Sequence, residues 1–530
     1  MIQVHCLTDG EMMKLLYVFL LGMSICFANP TWANTKHKPV NKHHKITHPS
    51  HHRNASKTTH LASNVNFSHK NIRKTPIYGD NQLADEINYI INTSKASNDA
   101  AIAVYVKSMS QGDTLYTRNI YHPFIPASTL KVLTAEASLL FLGPEYRFST
   151  QLLTDAKSIK DGVLQGNLYI LLSGDPSLTY DDLEDLLLSL KKQQIQTISG
   201  NVYIDFTAYD QDFYGPGWDW KDRKYCYGAP ISGSIINHNC LSLAISPTSA
   251  GQSAHIVRSD KYFYPAIRNS VVTKSKSMRA CSLRLSTGSR GSIDLDGCMP
   301  SGRYVWGLSY VIADIPEYNR ALFSDLLRHL SIRVQGNVLL ASAPRHLSFI
   351  SSHDSKPLKL LLSDMMKKSD NVIAEALFKK ISQLYNRRPG SWQGGTYAVT
   401  QILSTRIGVD TRGMRILDGS GLSAANLATP SQMMQVLNYA FHHSTNDVFI
   451  SALPIAGVDG TLKHRMGNIA RKVHAKTGTI SGVISLAGYA LAANQEPLAF
   501  VIMINGSKGL AWRYREMEDK IATALTRYER

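Results

Sequence analysis

Three short elements of the sequence carry residue types that can perform acyl transfer. The first is Ser128-Thr129-Leu130-Lys131. Residues i and i+3 of a helix lie on one face, so the Lys131 amine can lie beside the Ser128 hydroxyl. A serine is a weak nucleophile until a base takes its proton, and a lysine with a pKa lowered by burial can be that base. We therefore expect Ser128 to be the nucleophile and Lys131 its base.

The second element is Ser369-Asp370-Asn371. Residues i and i+2 do not share a helix face, but a turn between two helices can direct both side chains into a cleft. Ser369 can then relay the proton, and Asn371 can hold a substrate amide. Alone the element is weak evidence, because S-x-N also occurs at residues 199–201 and 444–446.

The third element is Lys476-Thr477-Gly478, which occurs once. In a strand Lys476 and Gly478 point to one face and Thr477 to the other. Gly478 permits the close approach of another backbone, and Lys476 can bind a carboxylate. An edge strand here can pair with an extended peptide. The main-chain N–H of Thr479, with that of Ser128, can form an oxyanion hole.

Each element taken separately also fits an ordinary structural role: a helix cap, a turn or a surface strand. The S-x-x-K spacing recurs at Ser189 and Lys192, for example, where it closes a charged helix and indicates a solvated face. The three elements in this order are much more specific. They are the set that characterises penicillin-binding proteins and class A β-lactamases.

The charge of the chain is concentrated near its start. The protein has 530 residues and a formal charge of +17. From Asn34 to Gly79 there are nine Lys or Arg, eight of the 19 His, and no Asp or Glu. Residues 34–79 therefore resemble a basic disordered linker, which can contact an anionic envelope surface. Metal binding by its histidines is an alternative, although a disordered segment does not hold them in a fixed geometry. The remaining chain is only mildly basic, which excludes nucleic-acid binding by the folded part.

Residues 1–33 have the pattern of a signal peptide. Lys14 precedes an apolar run, Leu15 to Phe27, that is too short to span a bilayer, and small residues follow up to Ala33. Cys26 leaves a lipid anchor as an alternative, although the residue before it is unsuitable. We expect a cleaved leader, export to the periplasm and no transmembrane helix.

Four cysteines follow the leader: Cys226, Cys240, Cys281 and Cys298. An even number in an exported protein suggests disulfides, and four cysteines allow three connectivities. We favour Cys226–Cys240 and Cys281–Cys298, because each pair brackets a compact loop; buried free thiols are the alternative. No C-x-x-C pair indicates zinc, and we expect neither a metal nor a cofactor.

The elements that must position these residues lie at the two ends of the chain. A helix, a strand and its hairpin partner are predicted from Gln82 to Asn119, before the helix that carries Ser128. Helices return from Lys356, and three strands with a last helix ending at Arg530 close the chain. Between these two parts of the chain the residue pattern predicts short strands and turns. The pattern indicates an α/β (α+β) domain split by a large insertion.

Four further stretches make the chain similar to a known family. They are SGDPSL at 173–178, PGWDWKDRKYCYGAP at 216–230, DGSGLS at 418–423 and LPIAGVDGTL at 453–462. From about Ile102 onward the chain resembles the class C low-molecular-mass penicillin-binding proteins, a D-alanyl-D-alanine carboxypeptidase/endopeptidase family.

The resemblance implies a serine β-lactamase/transpeptidase-like domain, with an antiparallel sheet and helices, interrupted by two inserted β-rich domains. The long gap between Ser128 and Ser369 fits such an insertion. After the leader and the linker, the implied parts are residues 80–147 and 346–530 for the transpeptidase-like domain, 148–242 and 303–345 for the first inserted domain, and 243–302 for the second.

The resemblance also implies the activity: a serine DD-carboxypeptidase/DD-endopeptidase that acts on peptidoglycan stem peptides through an acyl-enzyme on Ser128. β-Lactams would be covalent inhibitors. In the family a carboxylate just after the PGW stretch holds the free amine of diaminopimelate. That position falls on Asp222, with Tyr227 close by, and a plain surface turn is the alternative for Asp222. A β-lactamase and a non-catalytic peptidoglycan-binding scaffold are the rival functions, and a weak homo-oligomer is left open.

Overall fold

The computed structural model describes residues 5–6, 76–94, 99–258, 265–275, 281–288, 292–443 and 445–530. Most of the expected leader and of the basic linker lies outside these ranges. Within them, no helix is both long enough and apolar enough to cross a membrane.

The molecule is a mixed α/β protein. Its α-helices, α1 to α10 in chain order, span Gly79–Thr93, Lys131–Leu142, Tyr180–Lys192, Ile315–His329, Leu358–Lys368, Asn371–Asn386, Trp392–Ile402, Pro430–His442, Asn446–Ala452 and Ala511–Leu525. Its strands, β1 to β23, span His5–Cys6, Ile77–Tyr78, Ala101–Ser108, Thr114–Arg118, Ser149–Thr154, Ile159–Lys160, Val163–Leu164, Leu168–Leu171, Thr197–Ile198, Val202–Asp205, Cys240–Ser246, His255–Arg258, Ile267–Lys274, Leu283–Thr287, Ile293–Pro300, Trp306–Val311, Arg333–Val334, Val338–Leu340, Ser348–Asp354, Val473–Ile480, Val483–Leu491, Pro497–Asn505 and Tyr528–Glu529.

One antiparallel sheet joins the two ends of the chain, in the order β20-β21-β22-β3-β4. Helices cover both of its faces, so alternate residues of one strand enter different cores. Phe500 and Ile502 of β22 pack with α1 and α10, whereas Val501 and Met503 belong to the core formed by α2, α6 and α8. This double burial explains why β22 is an almost unbroken apolar run.

A second sheet, in the order β18-β10-β8-β5-β19, contains only strands from the middle of the chain. It mixes parallel pairs around β10 with antiparallel pairs around β5. Leu168 and Ile204 bring the sheet into one core with Leu187 of α3 and Phe323 of α4. The sheet continues past residue 345, the expected end of the first inserted domain, because β19 pairs with β5.

A smaller β-rich region is formed by strands between residues 240 and 311 together with β1. Strands β1, β16, β11 and β12 form one sheet, and β13, β15 and β14 form another. Leu243, Leu295 and Leu308 share a small core between them. The region extends beyond the expected range 243–302, because β16 pairs with β11 along six residues from Cys240 to Ile245.

The four cysteines form two local disulfides, Cys226–Cys240 and Cys281–Cys298. We expect peptide mapping without reduction to recover these two cross-linked peptide pairs from protein purified from an oxidising compartment, because thiols this close oxidise readily there. Four alkylatable thiols, or a peptide joining Cys226 to Cys281, would contradict the pairing. Mapping after reduction provides the control.

The end of the chain differs from the sequence prediction. The last helix was expected to reach Arg530, but α10 ends at Leu525 and Tyr528–Glu529 forms a parallel pair with Ile77–Tyr78. The reason is tertiary. The ring of Tyr528 is buried and its hydroxyl donates to the carboxylate of Asp80. Packing against the start of the folded part therefore overrides helix propensity here.

Candidate active site

Ser128 lies in a tight turn immediately before a helix. Residues Ala127–Leu130 form a 3₁₀ turn, and α2 begins at Lys131. Side chains three residues apart eclipse one another in a 3₁₀ turn, so Ser128 and Lys131 are closer than on an ideal α-helix. The Lys131 Nζ donates to the Ser128 Oγ at 3.1 Å. The predicted nucleophile and base therefore meet.

Lys131 is fully buried, and its ammonium group is held in three directions. Besides Ser128, it donates to the Oδ1 of Asn371 at 2.7 Å and to the main-chain oxygen of Ser420 at 2.9 Å. Burial lowers the pKa of Lys131, while carboxylates, Glu375 foremost, act in the opposite direction. A lysine in this setting can give up its proton much more easily than one on a surface.

Two buried carboxylates that the sequence analysis missed support this arrangement. Glu375 accepts the main-chain N–H groups of Gly419 at 2.6 Å and Ser420 at 3.0 Å. Asp418 accepts the Nε1–H of Trp218 at 2.9 Å, in addition to main-chain donors of its own loop. Together they fix the loop whose carbonyl binds Lys131. The available signal for Glu375 was a lone acidic residue in an apolar stretch, one turn after Asn371.

The Ser369-Asp370-Asn371 element forms the predicted turn between two helices. Ser369 has a left-handed backbone with φ 58°, at the end of α5. Asp370 caps α6 by accepting the N–H of Ile373 at 3.0 Å. The Ser369 Oγ accepts a hydrogen bond from the Lys476 Nζ at 2.8 Å, so the second and third elements are also in contact.

Both polar atoms of the Asn371 amide bind protein groups. Its Oδ1 accepts from Lys131, and its Nδ2 donates to the main-chain oxygen of Tyr227 at 3.0 Å. Asn371 therefore links Lys131 to the segment that holds Tyr227. One N–H donor and one lone pair of the Asn371 amide remain for a substrate amide.

Lys476 lies in β20, the edge strand of the central sheet, and is fully buried. It donates to the main-chain oxygen of Thr477 as well as to Ser369. Burial is the main reason that the pKa of Lys476 lies well below its usual value, and the positive charge of Lys131 lowers it further. A bound substrate carboxylate would favour its charged form.

Gly478 permits the close approach that its position predicts. A Cβ on Gly478 would lie 2.2 Å from the Ser485 Oγ, 2.9 Å from the Pro126 oxygen and 3.1 Å from the Ser128 nitrogen. Ser485 in turn donates to the Pro126 oxygen at 2.6 Å. The absence of a side chain therefore lets β20 lie directly against the nucleophile turn.

The outer edge of β20 presents main-chain groups beside Ser128. The N–H of Ala475 donates away from the sheet, to the Pro454 oxygen at 2.9 Å. Main-chain groups of an antiparallel strand alternate in direction, so those of Thr477 and Thr479 face outward too. The Thr477 hydroxyl donates to that of Thr461 at 2.8 Å.

Gly421 closes the loop against the nucleophile turn. Its φ is +83°, and an added Cβ would lie 1.8 Å from the Ala127 oxygen. We expect Gly421→Ala to destabilise the fold by at least about 2 kcal/mol and to slow acylation, because the turn carrying Ser128 must move. Gly413→Ala is the matched control. Its φ is +72° but no atom lies within 4 Å, so only the backbone cost of about 1 kcal/mol applies. Equal melting temperatures for the two variants would contradict this prediction.

Asp222 and Tyr227 lie together beside the catalytic residues. Asp222 begins a 3₁₀ turn, and its Oδ1 accepts the Tyr227 hydroxyl at 2.9 Å. The Tyr227 oxygen is the group that binds Asn371. Trp220 is 73% exposed, with Arg223 over its ring. Tyr225 stacks on Tyr227, with ring centroids 5.3 Å apart.

In the described part of the chain, no group of three or more His, Cys, Asp or Glu side chains could hold a metal ion. The residues brought together by the three elements are instead hydroxyls, amines and an amide. They can perform nucleophilic catalysis through Ser128, with buried lysines as proton acceptors.

Comparison with known proteins identifies the family. The model of the D-Ala-D-Ala carboxypeptidase 3 (S13) family matches residues 83–528. D-alanyl-D-alanine carboxypeptidase DacB of Haemophilus influenzae is 34% identical over 83% of this chain and 91% of its own. The D-alanyl-D-alanine carboxypeptidase of Actinomadura sp. is 30% identical over 84% of this chain and 85% of its own.

Solved structures give the same result. The crystal structure of penicillin-binding protein 4 from Haemophilus influenzae aligns with a TM-score of 0.74 and 33% identity, over 83% of this chain and 99% of its own. A complex of that protein with a β-lactam aligns with a TM-score of 0.69 and 31% identity, over 82% and 97%. The chain therefore belongs to the D-Ala-D-Ala carboxypeptidase 3 (S13) family of serine peptidases.

Proposed function

We propose that this carboxypeptidase works through an acyl-enzyme on Ser128. The observation that carries the proposal is the buried Lys131 amine, 3.1 Å from the Ser128 hydroxyl. Neutral Lys131 takes the proton as the Ser128 Oγ attacks the carbonyl carbon of the penultimate D-alanine. The C–N bond to the terminal residue then breaks, and the proton passes to the leaving amine. Water later hydrolyses the ester.

The oxyanion of the tetrahedral intermediate needs two preorganised donors. The N–H groups of Ser128 and Thr479 meet this requirement: β20 lies against the nucleophile turn at Gly478, and the Thr479 N–H points outward from the strand. Ser369, held by Lys476 at 2.8 Å, offers a second route for the proton toward the leaving group.

We propose peptidoglycan stem peptides as the substrates, cut as a carboxypeptidase and as an endopeptidase. An extended peptide can pair with the free part of the β20 edge, with its terminal carboxylate near Lys476 and Thr477. The carboxylate of Asp222 is suited to the free amine of a diaminopimelate side chain. The hydrogen bond from Asn371 to Tyr227 supports a direct link between that recognition and the catalytic centre.

We also propose that the region after the nucleophile helix consists of inserted β-rich domains and that the protein acts in the periplasm. The central sheet takes strands from both chain ends, whereas the sheets of residues 149–354 take theirs mainly from that interval. Two disulfides are consistent with an oxidising compartment.

Labelling with a fluorescent penicillin tests the proposed function. We expect a stoichiometric adduct that persists for many minutes and release of D-alanine from a pentapeptide by the same preparation. Rapid turnover of penicillin without peptide hydrolysis would instead indicate a β-lactamase. The absence of both penicillin labelling and peptide hydrolysis would indicate a non-catalytic scaffold. The label should map to the tryptic peptide that contains Ser128.

We expect Asp222→Asn to lower kcat/KM about tenfold for a peptide with a free diaminopimelate amine. A carboxylate bound to an ammonium contributes roughly 1.5–3 kcal/mol when partly desolvated, and the amide retains shape without charge. The same peptide with its amine acetylated is the control and should be cleaved at nearly the parental rate by the variant. Equal losses on both peptides would show that Asp222 only supports its loop. Acylation by a simple penicillin should not change.

A further inference from the structure

A cavity lies apart from Ser128 and the other residues of the candidate active site. It is open, has a volume of about 590 Å³, and lies where the C-terminal half of α6 packs against the sheet of β5, β8 and β10. Lys380 is nine residues after Asn371 on the same helix, a rise of about 13 Å. The cavity is lined by polar side chains from both elements: Lys380, Gln383, Arg387, Arg388, Ser173 and Asp205.

Lys380 is a buried cation without a matching anion. It is 4% exposed, and its Nζ donates to the Oε1 of Gln383 at 2.5 Å. The rings of Phe148 and Tyr209 lie 5.3 and 5.5 Å from it. No carboxylate among the described residues is within ion-pair distance, although the field of Asp175 reaches it. An ammonium group has three N–H donors, so Gln383 leaves two of them without an acceptor in the described protein.

Ser173 provides a second unused donor in the same lining. Its Oγ is buried and has no hydrogen-bond partner among the described residues. Asp205, the carboxylate of the lining, is already engaged by its own surroundings. Its Oδ1 accepts from the N–H and hydroxyl of Thr207, and its Oδ2 accepts the N–H of Ala343 at 2.7 Å. Asp205 forms no ion pair with Lys380 among the described residues.

Arg387 and Arg388 bring two more positive charges to the entrance. Both are exposed, and neither forms an ion pair in the described part of the chain. Three cations thus face one carboxylate that is hydrogen-bonded elsewhere. Buried donors without acceptors are costly, and a guanidinium pair matches oxyanions in geometry.

We propose that this cavity is an oxyanion-binding site for a carboxylate or phosphate group. Lys380 and Ser173 donate to the oxygens of the ligand, and Arg387 and Arg388 draw it in from solvent. Two sources share this chemistry. One is a carboxylate on a remote part of the peptidoglycan polymer, a source that rests on the proposed function; the other is free phosphate.

Calorimetric titration of the full chain with inorganic phosphate, and with a disaccharide tetrapeptide, tests the site. We expect both Lys380→Met and the double variant Arg387→Gln/Arg388→Gln to weaken binding of at least one probe about tenfold, the loss of one charged hydrogen bond. The exposed Lys191→Met is the control and should bind like the parent. Parental protein that binds neither probe at millimolar concentration, or variants that bind as well as the parent, would overturn the proposal.

Kinetics then identifies the source. If the ligand is a polymer carboxylate, Lys380→Met raises KM for polymeric peptidoglycan but not for a short D-Ala-D-Ala peptide. If it is free phosphate, phosphate binding is lost while both KM values stay at the parental level. Penicillin labelling should be parental in every variant, so failure of the oxyanion site is distinguishable from failure of the acyl-enzyme on Ser128.

Discussion

Ser128→Ala should abolish both penicillin labelling and peptide hydrolysis while leaving the fold intact. The Ser128 hydroxyl is the proposed nucleophile, and alanine offers no atom that can form the ester. Among the described residues the Ser128 hydroxyl has one side-chain partner, Lys131, so its removal should change the free energy of unfolding by less than about 1 kcal/mol. Gel fluorescence after incubation with labelled penicillin gives the first result, and thermal denaturation gives the second.

A matched comparison makes this test specific. Ser189→Ala removes the hydroxyl of the other S-x-x-K pair, whose Oγ only donates to the main-chain oxygen of Leu186. It should label and hydrolyse like the parent. Labelling that survives in Ser128→Ala would move the nucleophile elsewhere, with Ser189 the first residue to examine.

Lys131→Ala should slow acylation by roughly 10²–10⁴-fold, the usual contribution of a general base. The variant also leaves the Asn371 Oδ1 and the Ser420 oxygen without their donor, so Lys131→Met, which keeps more of the volume, provides a second measurement. Rapid-mixing measurement of the acylation rate distinguishes slow chemistry from weak binding. Acylation of both variants at the parental rate would show that Lys131 is not the base.

The pH dependence of the parent gives an independent check on Lys131. A general base acts in its unprotonated form, so the acylation rate should rise with pH as Lys131 loses its proton. Burial places this rise below the usual lysine pKa of about 10.4.

Lys476→Ala should keep the maximal acylation rate but bind carboxylate-bearing substrates more weakly, because Lys476 contacts Ser369 and not Ser128.

The contacts of the candidate site were predictable from the sequence where neighbours along the chain create them. Ser128 and Lys131 meet because of their spacing, and Gly478 is a glycine because another backbone lies against it. The contact between Lys476 and Ser369 was predictable only through the order of the motifs, since tertiary folding creates it. Two further features were out of reach. Glu375 acts through a distant loop, and the Lys131–Ser420 hydrogen bond uses a main-chain oxygen that has no signature in residue type.

The fold followed a similar division. The amphipathic helix α3 and the continuous apolar strand β22 lie where the sequence predicts them. The end of the chain did not, because burial of Tyr528 against Asp80 decides its conformation. The fifth strand of the second sheet, β19, was missed as well. Its residues are mostly polar and half-exposed, so the strand has no apolar alternation to reveal it.

The central sheet, which takes β3 and β4 from the front of the chain and β20 to β22 from its end, determines when activity can first appear during biosynthesis. Ser128 is made early, but the strand that completes its site is among the last segments to leave the ribosome. A partly made chain therefore has Ser128 without Lys476 or Thr479. Contacts between such distant segments also form slowly. The three elements can thus come together only after almost the whole chain has been made and has folded.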